Sequence, residues 1–382
     1  MSKDFAERLL AWADRYGRHD LPWQRERSPY RVWVSEVMLQ QTRVSTVVGY
    51  FERFMAALPE LPNLAAASED RVLALWSGLG YYSRALNLRR AALLCVARHG
   101  GRLPDDLAQL IALPGIGRST AAAILAQAHG QRLAILDGNV KRILARHAGL
   151  AGDPASAPVA RVLWQLAEVR LPAPKLGPRM ADYTQAIMDL GATLCTPKRP
   201  RCDECPLASD CVARATGRSA QLPTAKSRPA LPERAALMLL ALDAEGRVLL
   251  ERRPRFGVWR GLWSLPERVW PLPEAPVETR AALRALAVDH NLAGNDQADA
   301  NPQELPSLVH VFTHFRLHIR PYLWRVPTAP SGVAEDASTR WCTRDELADL
   351  GLPAPVRSLL LRVLSSLPER VTEVSGAPHS RY

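Results

Sequence analysis

Lysine is almost missing from the first third of this chain: none stands between Lys3 and Lys141. Schiff-base chemistry needs an amine nucleophile, so the gap argues against it in that segment. No apolar run reaches the ~18 residues of a membrane span. The opening MSKDFAERLL reads as an amphipathic helix and not as a secretory signal. Cysteine is scarce, six in 382 residues. Without a secretory signal, such thiols are expected in a reducing cytoplasm, where clustered ones hold metal. What the chain has in excess is positive charge, a formal +11, which points to a polyanionic partner. Its length allows two or three domains with sizeable cores.

Residues 105–147 organise the rest. Leu107, Leu110 and Ile111 repeat at helical spacing, and Pro114, Gly115 and Gly117 predict a tight turn. Ala121, Ile124, Leu125 and Ala128 then mark a second helix. A helix that starts straight after glycines offers free N–H groups and a positive dipole end, with no Cβ to keep a phosphate away. An ordinary αα-hairpin with a glycine turn meets the same pattern. Next, Asp137-Gly138-Asn139 opens a third amphipathic helix through Val140, Ile143, Leu144 and His147. Asp137 is placed as its N-cap, and Lys141, Arg142 and Arg146 beside it favour an anion.

Residues 29–43 read PYRVWVSEVMLQQTR. Pro29 suits a helix start, and Val32, Trp33, Glu36, Leu39, Gln40 and Arg43 share a face. Glu36 is thus a carboxylate in an apolar setting. Burial raises such a pKa and keeps the group protonated near neutrality, as a general acid requires; a structural ion pair is the competing reading. Between residues 68 and 99, two helices flank Ser77-Gly78-Leu79-Gly80-Tyr81-Tyr82. Its tyrosines either wedge into a base stack or pack under the loop. Trp23 likewise either stacks on a base or is buried. In 158–194, Met180, Tyr183, Ile187 and Leu190 line one helical face and Gln185 lies off it.

Cys195, Cys202, Cys205 and Cys211 follow a C-x6-C-x2-C-x5-C spacing with no histidine among them. Four thiols in one short loop point to a tetrathiolate site, iron–sulfur or zinc. Lys198, Arg199 and Arg201 between the first two ligands read as phosphate contacts or as a solvated basic loop. Cys95 and Cys342 are expected as buried thiols.

These segments carry a resemblance. LPGIGRSTA followed by LDGNVKR is similar to the helix-hairpin-helix DNA glycosylases, and WVSEVMLQQT and GLGYY closely match MutY-type adenine DNA glycosylases. The cysteine spacing is similar to the [4Fe–4S] loop of endonuclease III-type and MutY-type enzymes. The resemblance implies that Glu36 is the catalytic acid and Asp137 the catalytic aspartate. It implies that Gln41 and Thr42 lie at the lesion, that Tyr81 intercalates beside it, and that Gln185 contacts a flipped adenine. It assigns the DNA contacts of the hairpin to Gly115, Gly117 and Ser119, and one [4Fe–4S] cluster to the four cysteines. Relatives that also nick DNA carry lysine where this chain has Ser119.

Residues 212–233 contain three prolines, and no acid occurs between Asp210 and Glu233, while Arg214, Arg218, Lys226 and Arg228 do. They read as a basic linker lying extended along DNA. From 234 the pattern changes to strands at Ala236–Leu242, Arg247–Glu251, Val309–Arg316 and Leu317–Val326, with helices at Glu278–His290 and around Val356, Leu359, Leu360, Val363 and Leu367. The expected architecture is a mostly α helix-hairpin-helix glycosylase region with an iron–sulfur loop over 1–211, in which the resemblance implies six-helix barrel and cluster subdomains. The linker and an α+β domain over 234–368 follow, and 369–382 form a disordered tail.

The α+β half resembles the Nudix fold. A catalytic Nudix helix needs several glutamates for Mg²⁺, yet after Glu278 no acid follows until Asp289, which argues against a pyrophosphohydrolase. MutY-type enzymes use such a metal-free domain to recognise 8-oxoguanine. Their Phe-Ser-His motif stands here as Phe312-Thr313-His314, which places Thr313 and His314 at the lesion.

Over residues 5–367 the resemblance implies a monofunctional glycosylase of base excision repair. It would remove adenine opposite 8-oxoguanine or guanine in double-stranded DNA, as a cytoplasmic, nucleoid-associated monomer without membrane contact. In chemical terms Glu36 protonates the flipped adenine at N7. Asp137, its pKa lowered at a helix N-terminus, stabilises or traps the oxocarbenium ion. Asn139 and Tyr183 are candidate positioning residues. The competing readings are a relative that removes another base such as thymine, and a lesion-binding protein without catalysis.

Overall fold

The computed structural model describes residues 4–224, 230–270, 276–292, 302–327 and 338–366. The chain divides into two compact units, Met1–Pro229 and Ala230–Tyr382. Among the described residues no helix is long and apolar enough to cross a membrane. The expected tail 369–382 lies outside the described residues.

The first unit is helical. Its hairpin consists of a short helix Leu107–Ile111, capped by Asp106, and the helix Arg118–His129. Only Leu110 of the expected first face is fully buried; Ile111 is exposed, because so short a helix turns one residue fully inward. The second helix is rich in alanine, and Ala121 to Ala126 are all buried. Small side chains let its backbone approach two neighbours, Pro29–Leu39 and Met180–Thr193. One core joins Leu9 and Trp12 of the helix Phe5–Tyr16 to Ala123, Val140, Ile143, Tyr183 and Ile187. It holds the start of the helix Gly138–His147, and with it Asp137, on a fixed frame.

The segment expected as an extended tether begins folded. Val212–Ala215 form a helical turn with Ala213 buried. Leu222 is buried, and Thr224 Oγ1 accepts from the Gly152 N–H at 3.0 Å. Apolar burial at Ala213 and Leu222 outweighs the repulsion of the basic residues between them. Residues 225–229 lie outside the described residues.

Among the described residues the second unit is built on an eight-stranded sheet. Its strands are β1 (Glu233–Leu242), β2 (Val248–Arg252), β3 (Trp263–Ser264), β4 (Glu267–Trp270), β5 (Gln303–Glu304), β6 (Leu308–Val311), β7 (Arg316–Arg325) and β8 (Thr339–Cys342). β1 and β7 run parallel, from Glu233 beside Arg316 to Leu242 beside Arg325. Such a pairing is covered on both faces, and β1 is buried from Ala235 to its end. Ala235, Leu237, Leu239 and Ala241 share one core with Leu283, Leu286 and Ala287 of the helix Pro276–Asp289. The strand expected over Val309–Arg316 stops at Val311. Phe312 N–H donates to Phe315 O at 2.9 Å and closes a turn before β7. That turn carries Thr313 and His314.

Candidate active site

Glu36, Ser119, Asp137 and Gln185 come together around one cavity of about 290 Å³, with Thr42 and Asn139 also in its wall. Glu36 is delivered by the helix Pro29–Leu39, whose Ser28 cap accepts from Arg31 N–H. Asp137 caps the helix Gly138–His147 and accepts from Val140 N–H at 2.8 Å. Both carboxyls are half-buried by surface and open onto the cavity, yet protein encloses them.

Burial pushes the Glu36 carboxyl up to about 7. A hydrogen bond from Gln127 Nε2 to Glu36 Oε1, 2.8 Å, pulls the other way, and the charge of Asp137 adds to the rise. Near neutrality Glu36 is therefore close to an even mixture of acid and carboxylate. Asp137 departs from the expectation of a lowered pKa: burial raises it too, against the Val140 and Asn139 N–H groups and the charges of Arg142 and Lys141. The sequence displays the cap and the cations but not the desolvation. The two carboxyls differ in their counterweights. Asp137 has two backbone donors and two cations; Glu36 has one amide and faces a negative neighbour.

Gln185 is buried, and its Nε2 donates to Asp189 Oδ1 at 2.7 Å. Asp189 is held in turn by Arg18, through its backbone N–H at 2.8 Å and its guanidinium at 2.6 and 2.9 Å. Gln185 Oε1 is left buried with no hydrogen-bond partner among the described residues. Arg18, Asp189 and Gln127 did not stand out in the sequence. Asp189 lies one helical turn beyond Gln185, and Gln127 interrupts a run of apolar residues, so two of the three left a signal. Arg18 is 171 residues from its partner and left none. Tyr183, expected to position a partner in the site, instead donates its hydroxyl to Arg170 O at 2.9 Å inside the core. Asn139 does line the cavity, and its Cβ sits where a Cβ on Gly191 would be 2.5 Å away, so Gly191 is needed for that close approach. Trp23 is buried edge-on to Phe51 and contributes to the same wall.

A second hollow of about 270 Å³ brings together Gln41, Tyr81 and Gly115. Gln41 and Tyr81 both adopt positive φ, 59° and 49°, at roughly 1 kcal/mol each. Arg84 supports that backbone. It donates to the carbonyls of Val37 and Met38 at 2.8 Å, to Gln40 O, to Gly80 O at 3.1 Å and to Thr42 Oγ1 at 3.2 Å. Its guanidinium also lies 5.4 Å from the centroids of both Trp76 and Tyr81. Of the two loop tyrosines, Tyr81 is exposed and Tyr82 is buried. Gly115 is required twice over, by a φ of +80° and by Asn87 Cβ at 2.9 Å from any added Cβ. A Cβ on Gly117 would meet nothing, so the N-terminus of Arg118–His129 stays open. Ser119 turns inward, and its Oγ accepts from Leu136 N–H at 2.9 Å.

The four cysteines line a separate cavity with Arg146 and His147. Arg146 donates to Thr196 O at 2.7 Å and reaches Cys195 Sγ at 3.3 Å, and Arg142 donates to Cys195 O at 2.7 Å. Burial and the three neighbouring thiols push Cys205 up to about 11, so thiolates there need a cationic centre. All four thiols stand around that one space, which suits a multi-atom cluster. Lys198, Arg199 and Arg201 are exposed on this loop, and Cys95 and Cys342 are buried.

In the second unit Thr313 and His314 are exposed on the turn between β6 and β7. The rings of Phe312 and Phe315 stack beneath at 4.6 Å, with Trp259 5.1 Å from Phe312. The side chain of Glu278 lies outside the described residues.

Comparison with known proteins agrees with this layout. Base excision DNA repair proteins of the HhH-GPD superfamily match residues 34–168, and the NUDIX domain matches 237–362. The iron–sulfur binding domain of endonuclease III matches 195–211, the segment that carries the four thiols, and the protein carries one [4Fe–4S] cluster. The chain is 34% identical to the adenine DNA glycosylase of Buchnera aphidicola subsp. Acyrthosiphon pisum (strain APS), over 93% of this chain and 96% of that one. It is 36% identical to the Homo sapiens adenine DNA glycosylase, over 90% and 70%. A thermostable thymine-DNA glycosylase of known structure superposes with a TM-score of 0.50 at 26% identity, over 56% of this chain and 95% of that one. Relatives align over nearly its whole length, and the chain belongs to the adenine DNA glycosylase family.

Proposed function

We propose that this protein is a monofunctional DNA glycosylase that hydrolyses the N-glycosidic bond of adenine mispaired with 8-oxoguanine or guanine and leaves an abasic site. The observation that carries this reading is the joint placement of Glu36, Asp137 and Gln185 on one cavity wall, with Gln185 Oε1 left unpaired among the described residues. A base inside a duplex is out of reach, so it is flipped into the cavity. Adenine is a poor anionic leaving group. Glu36, half protonated near pH 7, supplies the proton at N7 and lets it depart neutral. Asp137, with its backbone donors, offsets the oxocarbenium charge on the sugar or traps it, and water completes the hydrolysis. The cluster gives the cysteine loop its fold, and with it the exposed Lys198 and Arg199 a fixed place beside phosphates.

Thymine is the rival substrate, favoured by the thymine-DNA glycosylase likeness. Gln185 supports adenine over thymine. Its amide is anchored through Nε2 to a carboxylate that only accepts, so Oε1 is the atom left for the base. An acceptor fits the exocyclic amino group of adenine and repels the carbonyls of thymine. The second unit, with Thr313 and His314 on an exposed turn, serves as the reader of 8-oxoguanine. We assign chemistry to 1–211 and lesion recognition to 234–368, in a monomer acting in the cytoplasm.

Single-turnover base release tests the reading, on duplexes with adenine opposite 8-oxoguanine, guanine or thymine, worked up with and without hot alkali. Fast release opposite 8-oxoguanine, with breaks only after alkali, is the expected result. Equal release opposite thymine would overturn the mispair assignment.

A further inference from the structure

We infer that Gln127 is a positioning residue for the acid step: it holds one oxygen of Glu36, so that the proton is carried and delivered by the other. This rests on Glu36 being the acid.

Gln127 Nε2 donates to Glu36 Oε1 at 2.8 Å, across the packing of Arg118–His129 on Pro29–Leu39. The seat is an unlikely one for an amide. Ala121, Ala122, Ala123, Ile124, Leu125 and Ala126 precede it, all buried, and Gln127 itself is 5% exposed. An apolar side chain would fill the position without the desolvation and rotamer cost that glutamine carries. Its one hydrogen bond to a side chain goes to Glu36.

The chemistry follows from what a carboxyl can do. An oxygen that accepts an N–H keeps its lone pairs occupied, and in the protonated carboxyl the hydrogen then sits on the opposite oxygen. Rotation about the terminal torsion of a glutamate is broad and roughly two-fold. Unanchored, the group spends part of its time with the wrong oxygen toward the base. With Oε1 fixed by Gln127, Oε2 is the donor. The same bond favours the ionised form and opposes burial, which keeps the carboxyl from rising further. The titratable group acting on Glu36 is Asp137, and Arg18 lines the same cavity. Neither is touched by changing Gln127.

The experiment measures single-turnover adenine release opposite 8-oxoguanine from about pH 5 to pH 9, for the iron-loaded protein and for Gln127→Met and Gln127→Leu. Both replacements are apolar helix formers in a buried apolar face, so folding is not at risk, and two shapes separate packing from the lost donor. In both variants the alkaline limb moves up by roughly one pH unit, the value of a hydrogen bond to a charged group. The plateau rate on the acid side falls about tenfold or more. A limb that stays at its original position in both variants, with or without a loss of rate, reduces Gln127 to a packing residue and overturns the inference. A flat profile in the unaltered protein, or full activity in Glu36→Gln, instead removes the acid assignment and this inference with it.

Discussion

Gln185 Nε2 donates to Asp189 Oδ1, and that bond determines which atom of Gln185 is left for a ligand. Because Arg18 grips Asp189 from the other side, the amide cannot turn over without losing a charge-assisted bond. Discrimination should therefore be lost when the acceptor is lost. In Gln185→Leu, release of adenine is expected to fall by roughly tenfold, while release of hypoxanthine, whose carbonyl replaces the amino group, rises relative to it. Parallel single-turnover assays on the two bases opposite 8-oxoguanine measure the ratio. A ratio identical to that of the unaltered protein would exclude Gln185 from base reading.

Glu36 ties both activity and stability to pH, and both fall as pH rises. Its folded-state pKa is about 7 against an ordinary 4.5. A general acid works protonated, so activity falls as pH rises through about 7. Between pH 4.5 and 7 the folded state binds the proton that the unfolded chain releases, and stability falls as pH rises across that window. Glu36→Gln removes the penalty. The variant should have no measurable base release, keep its affinity for lesion DNA, and melt higher than the unaltered protein above pH 7, by at most roughly 3 kcal/mol of added stability. Below pH 4.5 the two should melt alike. Thermal melts at the two ends of the range decide it; a gain at acid pH alone would reverse the argument.

The proposed catalytic pair was legible because it lies in runs where apolar periodicity and a lone carboxylate coincide. Glu36 interrupts a buried helix, and Asp137 stands at a helix start with a free backbone N–H to accept from. Spacing alone brought the four cysteines to one loop. What the chain did not display were partners contributed from a distance: Arg18 to Asp189, Gln127 to Glu36, Arg84 to the carbonyls of Val37, Met38 and Gln40. Nor did it display desolvation, which reversed the direction expected for Asp137. Tyr183 shared the period of its helix with the core, and the core is where it went.

Ser119 bears on strand cleavage. It stands in the cavity wall with its hydroxyl engaged by Leu136 N–H, and no amine stands in its place. An imine with the opened sugar has no nucleophile at this position to form from. Borohydride added during turnover should yield no covalent protein–DNA adduct, and strands should remain intact until alkali is added. A trapped adduct that maps to this unit would contradict the monofunctional reading.

Arg84 offers a test of how the strained loop is held. Two residues at positive φ, Gln41 and Tyr81, frame the hollow beside Gly115, and the guanidinium of Arg84 binds the carbonyls on both sides of it. The planar fork serves several acceptors at once, while an ammonium serves fewer with poorer geometry. Burial lowers the Arg84 pKa to about 10, so it remains charged across the working range. Arg84→Lys keeps the charge and loses the fork. Expected are a loss of roughly 2 kcal/mol of stability and weaker binding to duplexes with adenine opposite 8-oxoguanine, with unchanged cluster absorbance because the cysteine loop is not in contact with this site. Faster dissociation, more than slower chemistry once bound, should account for the lower activity. If the chemical step alone slowed and dissociation did not change, Arg84 would be supporting Glu36 through its helix and not the DNA-facing loop.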